Sequence, residues 1–433
     1  MHTLEQLQRG ELAGATRLDL SCGLNALPEA VLDLADSLEI LNLSGNRLSA
    51  LPPWLPRLHR LKVVFASDNP FTALPEVLGE CASLEMVGFK ACRIRDVPAA
   101  ALPPRLRWLI LTDNAVEVLP DAAGQRPRMQ KLMLAGNRLR GLPEGLAEAA
   151  ALELLRISAN RFERLPSWLT TLPRLSWLAL AGNPLGWSVP QVSLPVIDWG
   201  AVRVGDALGE GASGRTARVE VDGRTEALAL KLFKGAVTSD GLPEHEMAAG
   251  AAIGAYPGLC TPLAALGGHP QGTPGMFLPL IPAGHRLLAG PPSLESCSRD
   301  VYPADWRVDG DAAMRLLAKI GEAVAHLHAK GVLHGDLYAH NILWDPVTGE
   351  GLLSDFGAAA LLPADQPVLA RALQALEVRA FACLLEEVGN GIDASGDAGL
   401  RDMILRLSRD CMATDPGQRP DMAEVVNRLR EEL

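Results

Sequence analysis

Aromatic residues make up only 4% of this 433-residue chain, and tyrosine occurs three times. Its cores must therefore be built from aliphatic side chains, which the 48% hydrophobic content supplies. Lysine is also scarce, seven against 33 arginines, a balance expected of a GC-rich genome such as a bacterial one. No stretch approaches the roughly 18 apolar residues needed to cross a bilayer, so no membrane span is expected. The first residues, MHTLEQLQRGELAG, have neither a basic start nor an apolar run, and a secretory leader is not expected either. Seven cysteines lie scattered without a CxxC pair. An odd, dispersed set reads as reduced thiols in a cytoplasmic protein.

The net charge of −11 is unevenly spread. Residues 1–195 hold 20 Lys+Arg and 19 Asp+Glu, a net +1, and residues 196–433 hold 20 and 32, a net −12. An acidic second half argues against nucleic acid as a partner. At 433 residues the chain must also form more than one domain.

What is present first is repetition. Segments such as LEILNLSGNRLSALP, LRWLILTDNAVEVLP and LELLRISANRFERLP begin at 38, 61, 84, 106, 129, 152 and 175, with a degenerate copy near Ala15. The spacing is 22 or 23 residues and the pattern is LxxLxLxxNxLxxLP. Each copy supplies one short strand with inward leucines, for example Leu38, Leu41 and Leu43. The asparagines (Asn46, Asn69, Asn114, Asn137, Asn160, Asn183) can satisfy turn backbone groups that would otherwise be buried unpaired; Cys92 replaces one. A single copy cannot bury its own face, so the copies must stack. The pattern resembles the leucine-rich repeat, which implies a curved α/β solenoid of about eight repeats with an N-terminal cap, over residues 1–183.

The outward strand positions are unusually apolar. They include Ile40, Phe65, Met86, Trp108, Ile110, Met133, Leu154 and Trp177. Such a stripe predicts a concave face that binds protein, either another chain or the second half of this one. Residues 184–200, PLGWSVPQVSLPVIDWG, are apolar and proline-stiffened rather than Gly/Ser-rich. They are expected to cap the last repeat and to pack on the next domain.

From residue 202 the pattern changes. VRVGDALGEGASGRTARVEVDG reads as strand, glycine-rich turn, strand, with Gly209, Gly211 and Gly214 in a GxGxxG spacing. A dinucleotide-binding turn would open a helix; the alternation after Gly214 points instead to a hairpin lying over phosphates. Lys231 sits in the apolar strand LALKLF, and a helix glutamate, Glu246 by spacing or else Glu244, follows as its partner. An amphipathic helix over roughly 312–329 leads into HGDLYAHN (334–341), and GLLSDFG follows with Asp355 and Gly357.

This ordered set resembles the eukaryotic-type protein kinase family over about 202–433, and CMATDPGQRP (411–420) is similar to a late motif of that family. The resemblance implies a bilobal α+β domain over 201–433, with lobes at 201–282 and 283–433. It implies Mg²⁺ and ATP, with Lys231, held by Glu246, on the α/β-phosphates and Asp336 orienting the acceptor hydroxyl. It places Asn341 and Asp355 on Mg²⁺, has His334 brace the loop, and puts adenine against the Pro279 carbonyl and the Ile281 amide beside Leu278. The activity implied is a Ser/Thr-type protein kinase with the repeats recruiting its substrate. A pseudokinase scaffold and a small-molecule kinase of the aminoglycoside- or choline-kinase-like kind stay open.

Four departures qualify the resemblance. Gly335 stands where the family carries an arginine that meets an activation-loop phosphate, and residues 355–394 contain no Ser, Thr or Tyr, so control by loop phosphorylation is not expected. Only 19 residues separate Gly357 from Glu377, where the central helix of the second lobe is expected to begin, and Arg419 should lack its usual glutamate. Tyr338 replaces a lysine. His340 either shares the charge of the transferred phosphate or is merely solvated.

Overall fold

A computed structural model of the chain describes residues 2–189, 192–211, 214–235, 238, 240–393 and 398–431. The chain divides into two compact units, Met1–Leu172 with Asn183–Leu185, and Pro173–Gly182 with Gly186–Leu433. Residues 173–182, expected within the repeat domain, thus group with the second unit.

The first unit opens on helix α1 (Leu4–Gln8), whose Thr3 cap accepts from the Gln6 amide. Seven three-residue strands follow: β1 (Arg17–Asp19), β2 (Ile40–Asn42), β3 (Val63–Phe65), β4 (Met86–Gly88), β5 (Trp108–Ile110), β6 (Lys131–Met133) and β7 (Leu154–Arg156). They pair in parallel, in chain order. The inward leucines are fully buried. The return legs are 3-10 turns, several entered from a proline: Pro28, Pro75, Pro143.

The asparagine ladder forms as expected. Asn137 Nδ2 donates to the Leu111 and Leu134 carbonyls at 2.8 and 2.9 Å, and its Oδ1 accepts from the Val116 amide at 3.0 Å. Cys92 makes longer sulfur contacts to the Ala66 and Lys90 carbonyls, at 3.5 and 3.6 Å, and also meets the backbone of Asn69, Phe71 and Asp68. The residue before each of these positions is left-handed, whether glycine (Gly45, Gly136) or not (Asp68, Ala91, Asp113, Ala159). The ladder thus holds a turn that Ala91 and Ala159 would not adopt alone.

The outward stripe is less available than its sequence suggested. Ile40, Phe65, Trp108, Ile110 and Met133 are half-buried, but Met86, Leu154 and Trp177 are buried. Lateral packing along the stripe is one cause. Phe65 lies where a side chain at Gly88 would stand, Trp108 Nε1 donates to the Met133 sulfur at 3.3 Å, and the Lys131 ammonium sits 4.6 Å from the Trp108 ring centre.

The second unit begins with β8 (Trp177–Ala179) and β9 (Val196–Asp198). Its main sheet then adds β10 (Val202–Glu210), β11 (Gly214–Val221), β12 (Leu228–Phe233), β13 (Ala264–Gly267) and β14 (Gly275–Pro279), in the order β10-β11-β12-β14-β13-β9. The linker therefore contributes an edge strand, parallel to β13, and its Ile197 and Trp199 pack against the sheet core of Val219, Leu230 and Phe277. Pro190 and Gln191, within the linker, lie outside the described residues, as do Ala212 and Ser213 at the tip of the β10–β11 hairpin. Helix α2 (Pro243–Ile253) starts with proline in its first turn and stops at Gly254, φ 70°.

The remaining elements are α3 (Gly310–Ala329), β15 to β19 (Arg286–Leu287, Val332–Leu333, Ile342–Trp344, Gly351–Leu353, Ala360–Leu361), α4 (Pro367–Gly391), α5 (Ala398–Cys411) and α6 (Met422–Arg430). Asp309 and Asp421 cap α3 and α6. The long helix α4 begins at Pro367 rather than at Glu377, because Pro367 is favoured in a first turn and the run VLARALQAL has nothing to break it. The segment after DFG is thereby cut to 358–366. None of the seven cysteines forms a disulfide. No helix among the described residues is long and apolar enough to cross a membrane.

Replacing Asn137 with alanine leaves the Val116 amide without its acceptor, while the Leu111 and Leu134 carbonyls keep Asn114 and Asn160. We expect a loss of about 1–3 kcal/mol from the first unit's unfolding free energy, against under about 1 kcal/mol for Cys92→Ala, measured by urea titration of both variants.

Candidate active site

A cleft of about 520 Å³ lies in the second unit, within the range usual for small-ligand sites. Its roof is the glycine-rich hairpin. Gly209 and Gly211 line it, and a side chain at either would meet nothing within 4 Å of protein. Packing therefore does not demand glycine at those two positions, and their bare backbone leaves room for a ligand to approach. Gly214 is different. A Cβ there would stand 2.5 Å from the Leu232 carbonyl, so glycine lets β11 and β12 close up.

β12 delivers Lys231 to the back of the cleft, and α2 delivers Glu246 to meet it. The Lys231 Nζ to Glu246 Oε1 distance is 2.7 Å, with both side chains buried. Glu244 is not the partner. Burial works against the lysine's charge, but Glu246, Asp355 and Asp240 outweigh it and hold its pKa above the usual lysine value. Burial pushes the Glu246 carboxyl up to about 7, against the pull of Lys231. Asp355 Oδ1 stands 4.0 Å from Nζ, on a side chain that is half exposed. Asp355 is left-handed, φ 60°, and its Oδ1 accepts from the Gly357 amide.

The loop after β16 carries the other half of the site. Asn341 Nδ2 donates to the Asp336 carbonyl at 2.9 Å and to Asp336 Oδ2 at 3.0 Å. With its nitrogen committed, Asn341 offers its amide oxygen. His334 is buried and structural. The Asp336 amide donates to its Nδ1 at 3.3 Å, so Nε2 carries the proton and donates to the Ser354 carbonyl at 3.0 Å. Ser354 in turn donates through both N–H and Oγ to the Asn341 carbonyl. This stitching ties the loop to the strand bearing Asp355.

The loop is also hung from α4. The Gly335 amide donates to Glu377 Oε1 at 2.7 Å, and His328 Nε2 meets Oε2 at 2.9 Å. Burial alone would raise the Glu377 carboxyl, but His328, His334 and the Gly335 amide outweigh it and hold it below the usual range. Gly335 itself is left-handed, φ 74°, and a Cβ would sit 2.6 Å from the Ala358 carbonyl and 2.7 Å from the Leu178 carbonyl. The absent arginine of the family pattern has no room here.

Two residues left open by sequence take definite places. Tyr338 is buried, its ring stacked on Trp177 with centroids 4.2 Å apart and planes 7° off parallel. It is a packing residue. His340 is not simply solvated. Its Nδ1 lies 2.7 Å from Oδ1 of Asp300, whose side chain is fully buried, and its amide donates to Asp300 Oδ2 at 2.9 Å. Burial opposes its charge, but Asp300, Asp336 and Asp355 together raise its pKa above the usual histidine value. Neighbouring Arg299 pins the Asp300 segment to α4 through Glu387 and Glu386, at 2.7 and 2.8 Å. Arg419 pairs with no carboxylate among the described residues. It donates to the carbonyls of Ala413, Ala375 and Pro173 at 2.8–3.0 Å, and burial lowers its pKa to about 10.

Leu278, Pro279 and Ile281 all line the cleft. So do Cys260, Met276 and His285, which sequence reasoning missed because none stands in a motif. Asp300 was missed too: it lies 40 residues before its partner. The donor set of Asp336, Asn341 and Asp355 is all hard oxygen, the chemistry Mg²⁺ takes from proteins when waters and phosphates complete its shell.

A model of the protein kinase domain matches residues 294–380, and leucine-rich repeat models match 37–58 and 127–185. The serine/threonine-protein kinase PkaB of Streptomyces coelicolor is 27% identical over 172 residues, 29% of this chain and 41% of that one. CBL-interacting protein kinase 22 of Oryza sativa is 47% identical over 58 residues, 13% of each chain. The human PH domain leucine-rich repeat-containing protein phosphatase 1 is 31% identical over 97 residues, 22% of this chain and 6% of that one. The chain spans less than half the length of each of these relatives. It carries leucine-rich repeats fused to a protein kinase domain.

Gly335→Ala should destabilise the second unit by about 1–3 kcal/mol or more, since a left-handed backbone and two carbonyls oppose any Cβ. Thermal unfolding of the variant checks this.

Proposed function

We propose that this protein is a Ser/Thr-type protein kinase that uses ATP and Mg²⁺, and that its repeats recruit a protein substrate or partner. The observation that carries the reading is the convergence in one cleft of a buried Lys231–Glu246 pair with Asp355, beside a loop where Asn341 bonds to Asp336. Phosphoryl transfer asks mainly for positioning and for neutralised charge. Lys231 offers a fixed cation for the α/β-phosphates. Asn341 and Asp355 would hold the Mg²⁺, which when bound neutralises charge on the phosphates. Asp336 would orient the acceptor hydroxyl and accept its proton. The Pro279 carbonyl and Ile281 amide would meet adenine. His340, held by Asp300, adds a cation near Asp336. Seven cysteines outside any disulfide fit a reducing, cytoplasmic setting.

Residues 358–366 hold no Ser, Thr or Tyr, which supports activity without loop phosphorylation. The same brevity favours one second reading, a small hydroxylated acceptor, because little chain remains to support a peptide. Supplying proteins and metabolites in parallel phosphate-transfer assays separates the two.

Asp336→Asn and Asp355→Ala should each lower the transfer rate by at least about a hundredfold with folding intact. A radiolabelled Mg·ATP assay of wild type and variants measures this; equal rates would remove the enzymatic reading.

The pH profile should be bell-shaped. As pH falls through about 7, Glu246 takes a proton and releases its hold on Lys231. At the other limb, His340 is cationic below its raised pKa and loses that charge as pH rises through it. In His340→Gln the basic limb should disappear while the acid limb stays; an unchanged profile would assign His340 a purely structural part.

A further inference from the structure

We propose that Trp177 is a positioning residue for the catalytic loop, and that residues 173–182 brace that loop where the segment after DFG is too short to do so. The proposal rests on the kinase reading above.

Two residues of β8 touch three neighbours of Asp336. Trp177 Nε1 donates to the Leu337 carbonyl at 2.9 Å. Its ring stacks on Tyr338. The next residue, Leu178, presses its carbonyl against Gly335 so closely that no side chain fits there. Residues 335, 337 and 338 are thus clamped around the aspartate.

The clamp is anchored from below. Arg419 donates to the Pro173 carbonyl at 2.9 Å. Arg379 of α4 donates to the Arg174 carbonyl at 3.2 Å and to Ser176 Oγ at 2.8 Å. Both arginines are buried and take carbonyl or hydroxyl partners. A buried guanidinium is costly without such partners, so the arrangement fixes residues 173–176 firmly against the unit that holds the site.

Ordinary core packing would also bury a tryptophan. It would not explain a directed hydrogen bond to the residue after Asp336. Trp177 does not line the nucleotide cleft. Its loss should therefore disturb the loop and leave nucleotide binding alone, a split that a general loss of stability would not produce.

The test uses the full chain. Trp177→Ala is expected to lower kcat by about tenfold or more, the scale of a small misplacement of a catalytic group, with KM for ATP within about twofold of wild type. Hydrogen exchange at the amides of 335–341 should speed up in the same variant, and Trp177→Phe, which keeps a ring on Tyr338 but loses the donor, should fall between. A wild-type kcat in Trp177→Ala, or exchange at 335–341 no faster than in wild type, overturns the proposal. Should the alanine variant not fold, Trp177→Phe decides the matter: it must lower kcat and speed loop exchange, and failing either overturns the brace. If wild type transfers no phosphate, the kinase reading has failed, and the exchange measurement alone then judges the brace.

Discussion

A carboxylate in a protein interior is costly unless its oxygens are bonded, and Glu377 meets that demand with the Gly335 amide on one oxygen and His328 on the other. Much of the site follows from this. The amide of Gly335 points into α4, and its backbone is left-handed. His334 bonds forward to the strand of Asp355, and Asn341 closes back on Asp336. A chain of short bonds therefore runs from one buried helix to both carboxylates of the proposed chemistry.

The half of the site beneath the glycine-rich hairpin depends on a different balance. Both side chains are buried; Glu246 and Asp355 hold Lys231 charged, while burial raises the Glu246 carboxyl against the pull of Lys231. The two halves are joined through Asp355, which stands by Lys231 on one side and on the other follows the strand stitched to His334 and Asn341.

The repeat ladder, the glycine hairpin, the lysine strand and the 334–341 loop were legible because each is a local pattern with a fixed period or spacing. The choice of Glu246 over Glu244 was legible from helical spacing. Three things were not. The start of α4 was read ten residues late, because a family motif rather than helix propensity set the expectation. The partner of His340 is Asp300, whose approach depends on Arg299 folding back to α4. The outward apolar stripe looked free because period alone cannot tell a side chain facing solvent from one packed sideways on its neighbour, as Phe65 is on Gly88.

The tie between β8 and the 334–341 loop bears on how such a chain can vary over time. Repeats in a solenoid interact chiefly with their immediate neighbours, so copies can be gained or lost by unequal exchange at modest cost. The copy holding Trp177 is exempt from that freedom. A duplication that placed a different copy at this position would bring Ile, Val, Met, Lys or Leu against Tyr338 in most cases, with no indole N–H for Leu337. Added copies upstream leave these contacts untouched, whereas a changed copy at Trp177 loses both the Leu337 hydrogen bond and the Tyr338 stack.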